Sequence, residues 1–407
     1  MFGSEKFVKI GNALLMLIAF VLPLNKKVIP LLIILFVISW IFSGNLKERT
    51  KRITRPKFLL LFISFYLLHV IGMLYTANTG FGMFDLEIKL SFLLFPLVLA
   101  TFPTLSRNAM NHLMLSLIGG CFVACIASLW IGYGNYTESG DINDLLYGEL
   151  SLFHHPTYFS MYLGLATVMI LNILLHPQRY TTFVPGWMLA ALLPFFILMI
   201  VILMAKAGVF MVALIILAAL IYMMFQRRYL YALLLSAFAV LGVSTALHFI
   251  PDAFKRIEST WVVATQSIED RDLTTIESTA GRILVWEQAV GLIGDNWIFG
   301  VGTGDVKDEL VARYAENGLT GIVEKRLNAH NQFLQSFAAL GIFGFLSLLI
   351  ALLAAAIYAI KRKNLVYFMF VIIIIVNALT ESILEVQAGI VFYTFFNSLF
   401  MFLEPEQ

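Results

Sequence analysis

The stretch HNQFLQSFAALGIFG, at residues 330–344, opens an apolar segment that continues to about residue 360. It places a polar pair, His330 and Asn331, at the start of the segment and two glycines, Gly341 and Gly344, deeper inside it. An apolar run of this length is typical of a helix that spans a membrane. The sequence therefore puts a titratable side chain where a membrane helix meets water.

The composition of the whole chain is that of a membrane protein. Of its 407 residues, 60% are hydrophobic and only 13% are charged, whereas soluble domains carry roughly 25% charged residues. The mean hydropathy is +0.89. We therefore expect membrane lipid as the surrounding partner. The net charge of +2 gives no indication of nucleic acid, and no nucleic-acid partner is expected.

The apolar runs predict an all-α polytopic membrane protein with about twelve transmembrane helices. The predicted spans cover residues 10–25, 28–44, 58–76, 88–103, 112–132, 157–175, 185–203, 207–225, 229–249, 333–358, 365–380 and 387–403. Residues 250–332 form the one segment long enough for a small external lobe, and helical spacing at 282–290 and 306–315 predicts short helices within it. The predicted organisation is a bundle of about nine helices over residues 1–249, a periplasmic lobe over 250–332, and about three further membrane helices over 333–407.

The distribution of Lys and Arg among the short loops predicts the orientation of the bundle. With the N-terminus in the cytoplasm, fifteen of these cations lie in the inside loops and only four in the outside loops, namely Lys26, Lys27, Lys89 and Lys206. Cytoplasmic loops carry the excess of positive charge in membrane proteins. Both termini are therefore expected in the cytoplasm, with His330 and the lobe on the opposite side.

His330 is the first candidate for chemistry. We expect it in the first turn of its helix, capped by Asn328, where the helix dipole favours the neutral imidazole that can act as a general base. Gly341 follows eleven residues later, about three helical turns, so both would lie on one face where another helix can approach closely. The alternative is an interfacial histidine at the start of a membrane helix, with glycines that serve packing alone.

Two cations are candidates for binding an anion. Arg282 carries a guanidinium that matches phosphate oxygens bidentately; the alternative is a surface arginine that anchors an amphipathic helix. Lys206 lies between two long apolar runs, where a charge is costly and usually functional; the alternative is a lysine that extends to the outer membrane surface. Glu381 and Glu385, at the last outside turn, are interpreted as solvated charges at helix ends.

Further side chains on the outer side could line a cavity around these candidates. His155 and Tyr158 begin the sixth span on that side, and Asn331 and Trp286 neighbour His330 and Arg282 in the sequence. The tripeptide Asp-Arg-Asp at 270–272 matches a metal-binding pattern formally, but so short a match arises easily by chance. We interpret it as a solvated turn and expect no metal site.

Several of these motifs resemble one known family. The pattern of His330, Asn331, Gly341 and Gly344 is similar to the signature of the O-antigen ligase and polymerase superfamily. A second piece is GRILVW at 281–286 followed by IFGVGTG at 298–304; in that family an arginine begins a short helix containing a tryptophan, which leads to a Phe-Gly-Val-Gly turn. A third is the outer turn MAKAG at 204–208, where relatives commonly show Ser-Arg-Gly. A lysine there cannot form the planar fork of an arginine.

The resemblance implies a glycosyltransferase of the bacterial inner membrane that acts on the periplasmic face. Its donor would be an undecaprenyl-pyrophosphate-linked glycan and, in a ligase, its acceptor a sugar hydroxyl of lipid A-core. His330 would deprotonate the acceptor, and Arg282 and Lys206 would neutralise the departing pyrophosphate. The transfer would invert the anomeric carbon without a metal or other cofactor.

Three other functions stay open from the sequence. An O-antigen polymerase would extend lipid-linked glycan with the same motifs, and a protein O-oligosaccharyltransferase also shares the His motif. A transporter of lipid-linked glycan would typically carry polar groups near the membrane midplane in repeated halves. Because the polar candidates here gather on one side of the chain's predicted spans, the sequence favours an enzyme.

Overall fold

The computed structural model describes residues 2–180, 182–237 and 279–403, and every regular element within these ranges is helical. In chain order the helices are α1 (Phe2–Val21), α2 (Ile29–Phe42), α3 (Leu46–Lys51), α4 (Pro56–Gly72), α5 (Thr79–Lys89), α6 (Ser91–Thr101), α7 (Arg107–Ser139), α8 (Tyr147–Leu150), α9 (Pro156–Leu175), α10 (Gly186–Ile202), α11 (Lys206–Phe225), α12 (Thr279–Asp295), α13 (Val306–Glu316), α14 (Thr320–Lys325), α15 (Gln332–Lys361), α16 (Leu365–Thr380) and α17 (Gln387–Ser398). Short 3₁₀ turns lie at Ile142–Leu145, Pro177–Arg179 and Ile383–Glu385, and α17 continues as a π-helical turn at Leu399–Leu403.

The all-helical architecture expected from the sequence is confirmed over the described residues. Four helices, α7, α9, α11 and α15, are long and apolar enough to cross a membrane, and the shorter apolar helices α2, α4, α10, α16 and α17 accompany them. The number of twelve spans and the external position of the lobe stay predictions. Residues 229–237 of the ninth predicted span are helical. The rest of that span, residues 250–278 and the tripeptide at 270–272 lie outside the described residues.

Helix α9 is the central helix of the bundle. Within the most apolar 18 residues of α9, 83% of the residues are buried, whereas 33–50% are buried in the other three long helices. The helices α7, α10, α11 and α16 pack on it. The exposed apolar faces of the surrounding helices are thus left for lipid, which is the solvent that such faces require.

A second and smaller core joins the lobe helices α12, α13 and α14 to the beginning of α15. Its buried side chains include Leu284, Leu310 and Tyr314 of the lobe together with Ala338 and Leu340 of α15. The two predicted helical stretches of the lobe are confirmed, since α12 and α13 contain them. The first turns of α15 therefore belong to the lobe core, while its later turns belong to the bundle.

Polar bonds hold the lobe on the end of α4. The carboxylate of Asp305 accepts from the backbone N–H groups of Ala77 and Asn78, at 2.7 Å and 2.6 Å. The Thr303 hydroxyl donates to the His69 carbonyl at 2.7 Å. Because these bonds join distant parts of the chain, they fix the lobe relative to the helices beneath it.

The two glycine motifs meet at a break in α15. Gly341 has φ of 63° and ψ of −158°, a conformation open essentially to glycine alone. A Cβ there would collide with the Ile298 carbonyl oxygen, and Val301 N donates to the Ala338 carbonyl at 2.9 Å. The prediction that His330 and Gly341 share one continuous helical face is therefore wrong. The glycine admits the turn at 297–302 of the lobe and not a second helix.

Candidate functional site

The backbone around His330 differs from the expected helix start. His330 has a φ of +43° and lies two residues before α15 begins, so the expected position in the first turn is wrong. The N-cap is Asn331, whose side-chain oxygen accepts from Phe333 N at 2.9 Å and Leu334 N at 3.2 Å. Asn328 accepts from His330 N at 3.0 Å instead of capping the helix. The polar residues of the motif thus build the turn that presents the imidazole.

Asn331 also joins this turn to the neighbouring helix. Its amide nitrogen donates to the Leu379 carbonyl, at the end of α16, at 3.1 Å. The side chain of Asn331 therefore holds the start of α15 beside the end of α16. This contact brings His330 close to the residue that follows α16.

That residue, Glu381, links His330 to Arg282. One carboxylate oxygen lies 2.9 Å from His330 Nδ1 and the other 3.6 Å from Arg282 Nη2. Glu381 is only 8% exposed, so its interpretation as a solvated helix-end charge is wrong. Burial by itself would raise the pKa of Glu381, but the hydrogen bond and charge of His330, with the charge of Arg282, lower it below its ordinary value. Glu381 is therefore an ionised carboxylate at neutral pH.

The carboxylate determines which nitrogen of His330 is available. Because an ionised carboxylate only accepts hydrogen bonds, Nδ1 of the neutral imidazole carries the proton. Nε2 then has the lone pair and can take a proton from a bound hydroxyl. The His330 side chain is 23% exposed, so the ring is accessible to such a ligand.

Arg282 and Lys206 line one cavity of about 260 Å³. Its walls come from the start of α11, the end of α16 and helix α12, which also contributes Trp286. The indole Nε1 of Trp286 is buried and has no acceptor among the described residues. Since Arg282 lies both in this cavity and beside Glu381, the cavity adjoins His330. Two cations at the mouth of an apolar cavity suit a ligand with an anionic group and an apolar part.

His155 and Tyr158 lie on another side of Glu381. His155 is the exposed N-cap of α9, where its Nδ1 accepts from Thr157 N at 3.4 Å. Its charge also contributes to the lowered pKa of Glu381. Tyr158 is buried, and its ring centroid lies 6.3 Å from that of His155. The structure thus brings both residues to the turn that carries Glu381.

A buried ionic cluster supports this turn from below. Lys89 is fully buried, with Nζ 2.5 Å from Asp85 Oδ1 and 2.8 Å from Glu385 Oε2. Gln332 donates to the other oxygen of Glu385 at 3.0 Å and accepts from Leu384 N at 2.7 Å. The placement of Lys89 in an outer loop and the solvated state of Glu385 were wrong. The cluster ties the turn after α16 to the first residue of α15.

The sequence contained one signal for this cluster. Asp85 and Lys89 stand four residues apart, which places them side by side on a helix, and they directly precede an apolar run. Glu381 carried no such signal, because its partner His330 is 51 residues away in the chain.

No curated protein matches the chain. The family model described as O-antigen ligase matches residues 189–349. The matched segment contains Lys206, Arg282 and His330 with the break at Gly341, whereas Glu381 follows it. This match supports the resemblance of the chain to the O-antigen ligase and polymerase superfamily.

Proposed function

We propose that this protein is an O-antigen ligase of the bacterial inner membrane. It would transfer a glycan from undecaprenyl pyrophosphate to a sugar hydroxyl of lipid A-core on the periplasmic face. The observation that carries the proposal is the contact of Glu381 with both His330 and Arg282, beside the cavity that holds Lys206. A base and an anion-binding pair thus lie next to each other.

His330 acts on the acceptor in this mechanism. Its Nε2 takes the proton of the sugar hydroxyl while that oxygen forms a bond to the anomeric carbon of the donor. The imidazolium that develops is stabilised by Glu381, which is already ionised and hydrogen-bonded to Nδ1. Glu381 does not touch the reacting atoms and is therefore a positioning residue.

Arg282 and Lys206 act on the donor. As the new bond forms, the bond between the anomeric carbon and the pyrophosphate oxygen breaks, and negative charge develops on the pyrophosphate. At 3.6 Å, the pair of Arg282 with Glu381 is looser than a hydrogen bond, so the guanidinium can turn to the phosphate oxygens. Lys206 adds a point charge and Arg282 supplies the bidentate fork.

A single displacement accounts for the stereochemistry. The acceptor oxygen approaches the anomeric carbon from the side opposite the pyrophosphate, so the configuration is inverted. Pyrophosphate is a good leaving group once two cations neutralise it. The proposal therefore requires no metal or other cofactor for the departure step.

The test is reconstitution of the purified protein in proteoliposomes with an undecaprenyl-pyrophosphate glycan, with and without lipid A-core. We expect glycan on lipid A-core, loss of this product in His330→Ala, and near-normal product in His112→Ala, a matched histidine outside the site. Arg282→Ala should lose most of the activity and Arg282→Lys should recover part of it. Transfer at the normal rate by His330→Ala would refute the assignment of the base.

The same experiment separates the alternatives. A ladder of longer lipid-linked chains, made without lipid A-core, would identify a polymerase instead of a ligase. The absence of any covalent product with either acceptor would count against both and favour a protein acceptor or transport.

A further inference from the structure

A second polar cavity lies at the other end of the bundle. Helix α16 connects the two regions, since Leu365 at its start lines this cavity and its last residue, Thr380, precedes Glu381. Its 16 residues span about 24 Å. The cavity has a volume of about 390 Å³, within the range of roughly 300–1,000 Å³ that is usual for small-molecule sites. It plays no part in the proposed transfer.

The charged side chains among the described residues that line this cavity are all cations. Arg107, Arg179 and Lys363 line it, and the described lining residues include neither Asp nor Glu. All three cations are exposed at the rim. Anions entering the cavity would therefore meet positive charge from three separate elements: the start of α7, the turn at Pro177–Arg179, and the loop before α16.

The floor of the cavity is polar and buried. Asn111, Asn172 and Asn364 line it with exposures of 4%, 9% and 8%. Asn172 donates to the hydroxyl of Tyr180, and Asn364 caps α16 by accepting from Tyr367 N at 3.0 Å. These bonds fix the orientation of the amide groups before any ligand arrives, which reduces the ordering cost of binding.

Helix ends of both polarities border the cavity. The N-termini of α7 and α16, helices of 33 and 16 residues, both open into it, and helix N-termini attract anions. At the C-terminus of α9, the partial negative charge of the Leu175 carbonyl is paired with Arg228, which donates to it at 2.9 Å. The C-terminus of α11 also borders the cavity, through Tyr222 and Gln226, so the lining cations and not the helix ends determine the sign of its charge.

One wall is a neutral histidine. Burial lowers the pKa of His176, and the charges of Arg179 and Arg228 lower it further, against the opposing effect of the Asn172 carbonyl. His176 Nδ1 lies 3.1 Å from that carbonyl and Nε2 lies 2.5 Å from the Tyr222 hydroxyl. The ring is held in place and contributes shape instead of charge.

We propose that this cavity binds the phosphate headgroup of an anionic membrane phospholipid. A phosphate is the anion that three cations and two helix N-termini fit best. The cavity lies where the predicted spans meet the cytoplasmic surface, and basic pockets between membrane helices on that side bind anionic lipid headgroups. Exposed aromatic side chains on the same end, Phe183 at 75% and Phe225 at 83%, would lie among the lipids.

The test uses the full-length protein in nonionic detergent, titrated with phosphatidylglycerol or phosphatidylethanolamine, with bound lipid counted by native mass spectrometry. We expect tighter binding of phosphatidylglycerol, and a triple variant, Arg107→Gln, Arg179→Gln and Lys363→Gln, should weaken it about 100-fold, since each cation contributes about fivefold. Because the triple variant could disturb folding, the single Arg179→Gln change, on an exposed turn, should weaken binding about fivefold.

The matched control removes three exposed cations of the same end that do not line the cavity, by Lys51→Gln, Lys57→Gln and Lys361→Gln. It should bind phosphatidylglycerol as the unmodified protein does. An equal loss in the control, or no loss in the cavity variants, would overturn the proposal in favour of unspecific surface charge. Displacement of the lipid by millimolar inorganic phosphate would overturn the lipid assignment and leave soluble phosphate as the ligand.

Discussion

Replacing Glu381 by glutamine tests whether its charge acts through His330. The glutamine would keep the shape and can still accept from His330 Nδ1, which lies 2.9 Å from the native carboxylate, but it cannot stabilise an imidazolium by charge. Hydrogen bonds to charged groups contribute about 1.5–3 kcal/mol against about 0.5–1.5 for neutral ones. Adding the lost attraction across this short distance, we expect transition-state stabilisation to fall by about 2–3 kcal/mol. That is a decrease in kcat/KM of about 30- to 150-fold.

The assay is the initial rate of glycan transfer in proteoliposomes, measured for Glu381→Gln and for Glu324→Gln, an exposed carboxyl of the lobe. The control should stay within about twofold of the unmodified protein, since surface substitutions have small effects. The double variant His330→Ala with Glu381→Gln should be no slower than His330→Ala alone, because both changes remove one function. Rates for Glu381→Gln within about threefold of normal, or additive losses in the double variant, would refute the reasoning.

Three further predictions concern the stability of the protein in detergent, followed by thermal unfolding. Gly341→Ala should destabilise the protein by about 2–4 kcal/mol, because a side chain is strained at this backbone conformation and meets a carbonyl. The control is Gly294→Ala, at a helical glycine with open space around it, which should be neutral or stabilising by up to about 1 kcal/mol. Equal effects of the two changes would contradict the explanation. Lys89→Met should lower the free energy of unfolding by about 3–5 kcal/mol, because it leaves buried carboxylates unpaired. The control, Lys27→Met at an exposed lysine, should change it by less than about 0.5 kcal/mol. No change in stability for Lys89→Met would show that the ionic cluster does not stabilise the protein. The lowered pKa of Glu381 gives stability that is present above the ordinary pKa of this carboxyl and lost as pH falls through the lower folded value. The unmodified protein should therefore be more stable than Glu381→Gln near pH 5, and the margin should shrink below about pH 4.5. A margin that grows as the pH falls below about 4.5 would contradict the direction of the shift.

The helices were predictable wherever a long apolar run alone decides them. Helices α9 and α11 begin and end within a residue or two of their predicted spans. Helix α7 contains its predicted span and extends beyond it at both ends. The exception is the predicted span at 88–103, where the chain forms two short helices, α5 and α6. An apolar run indicates that a segment is buried, but it does not show whether Lys89 at its edge faces water or a buried carboxylate.

The candidate site was predictable only in its local parts. The motif residues His330, Arg282 and Lys206 could be named because each stands out within its own segment. Glu381, the shared partner of His330 and Arg282, could not be named, since its contact with His330 joins residues 51 positions apart in the chain. The break at Gly341 was equally hidden, because a glycine in an apolar run fits a continuous helix and a left-handed residue alike.

The buried ion pair of Lys89 also has a consequence for biogenesis. Its partner Glu385 lies 296 residues later in the chain, so at about 5–20 residues per second the ribosome needs about 15–60 s to supply it. During that interval Asp85, one helical turn away, is the only carboxylate of the cluster already synthesised. The ion pair of Lys89 with Glu385 can therefore form only after α16 has been synthesised. A chain that stops short of Glu385 would retain Lys89 with Asp85 as its one partner in this cluster, and we expect such chains to pack α5 and α6 less stably.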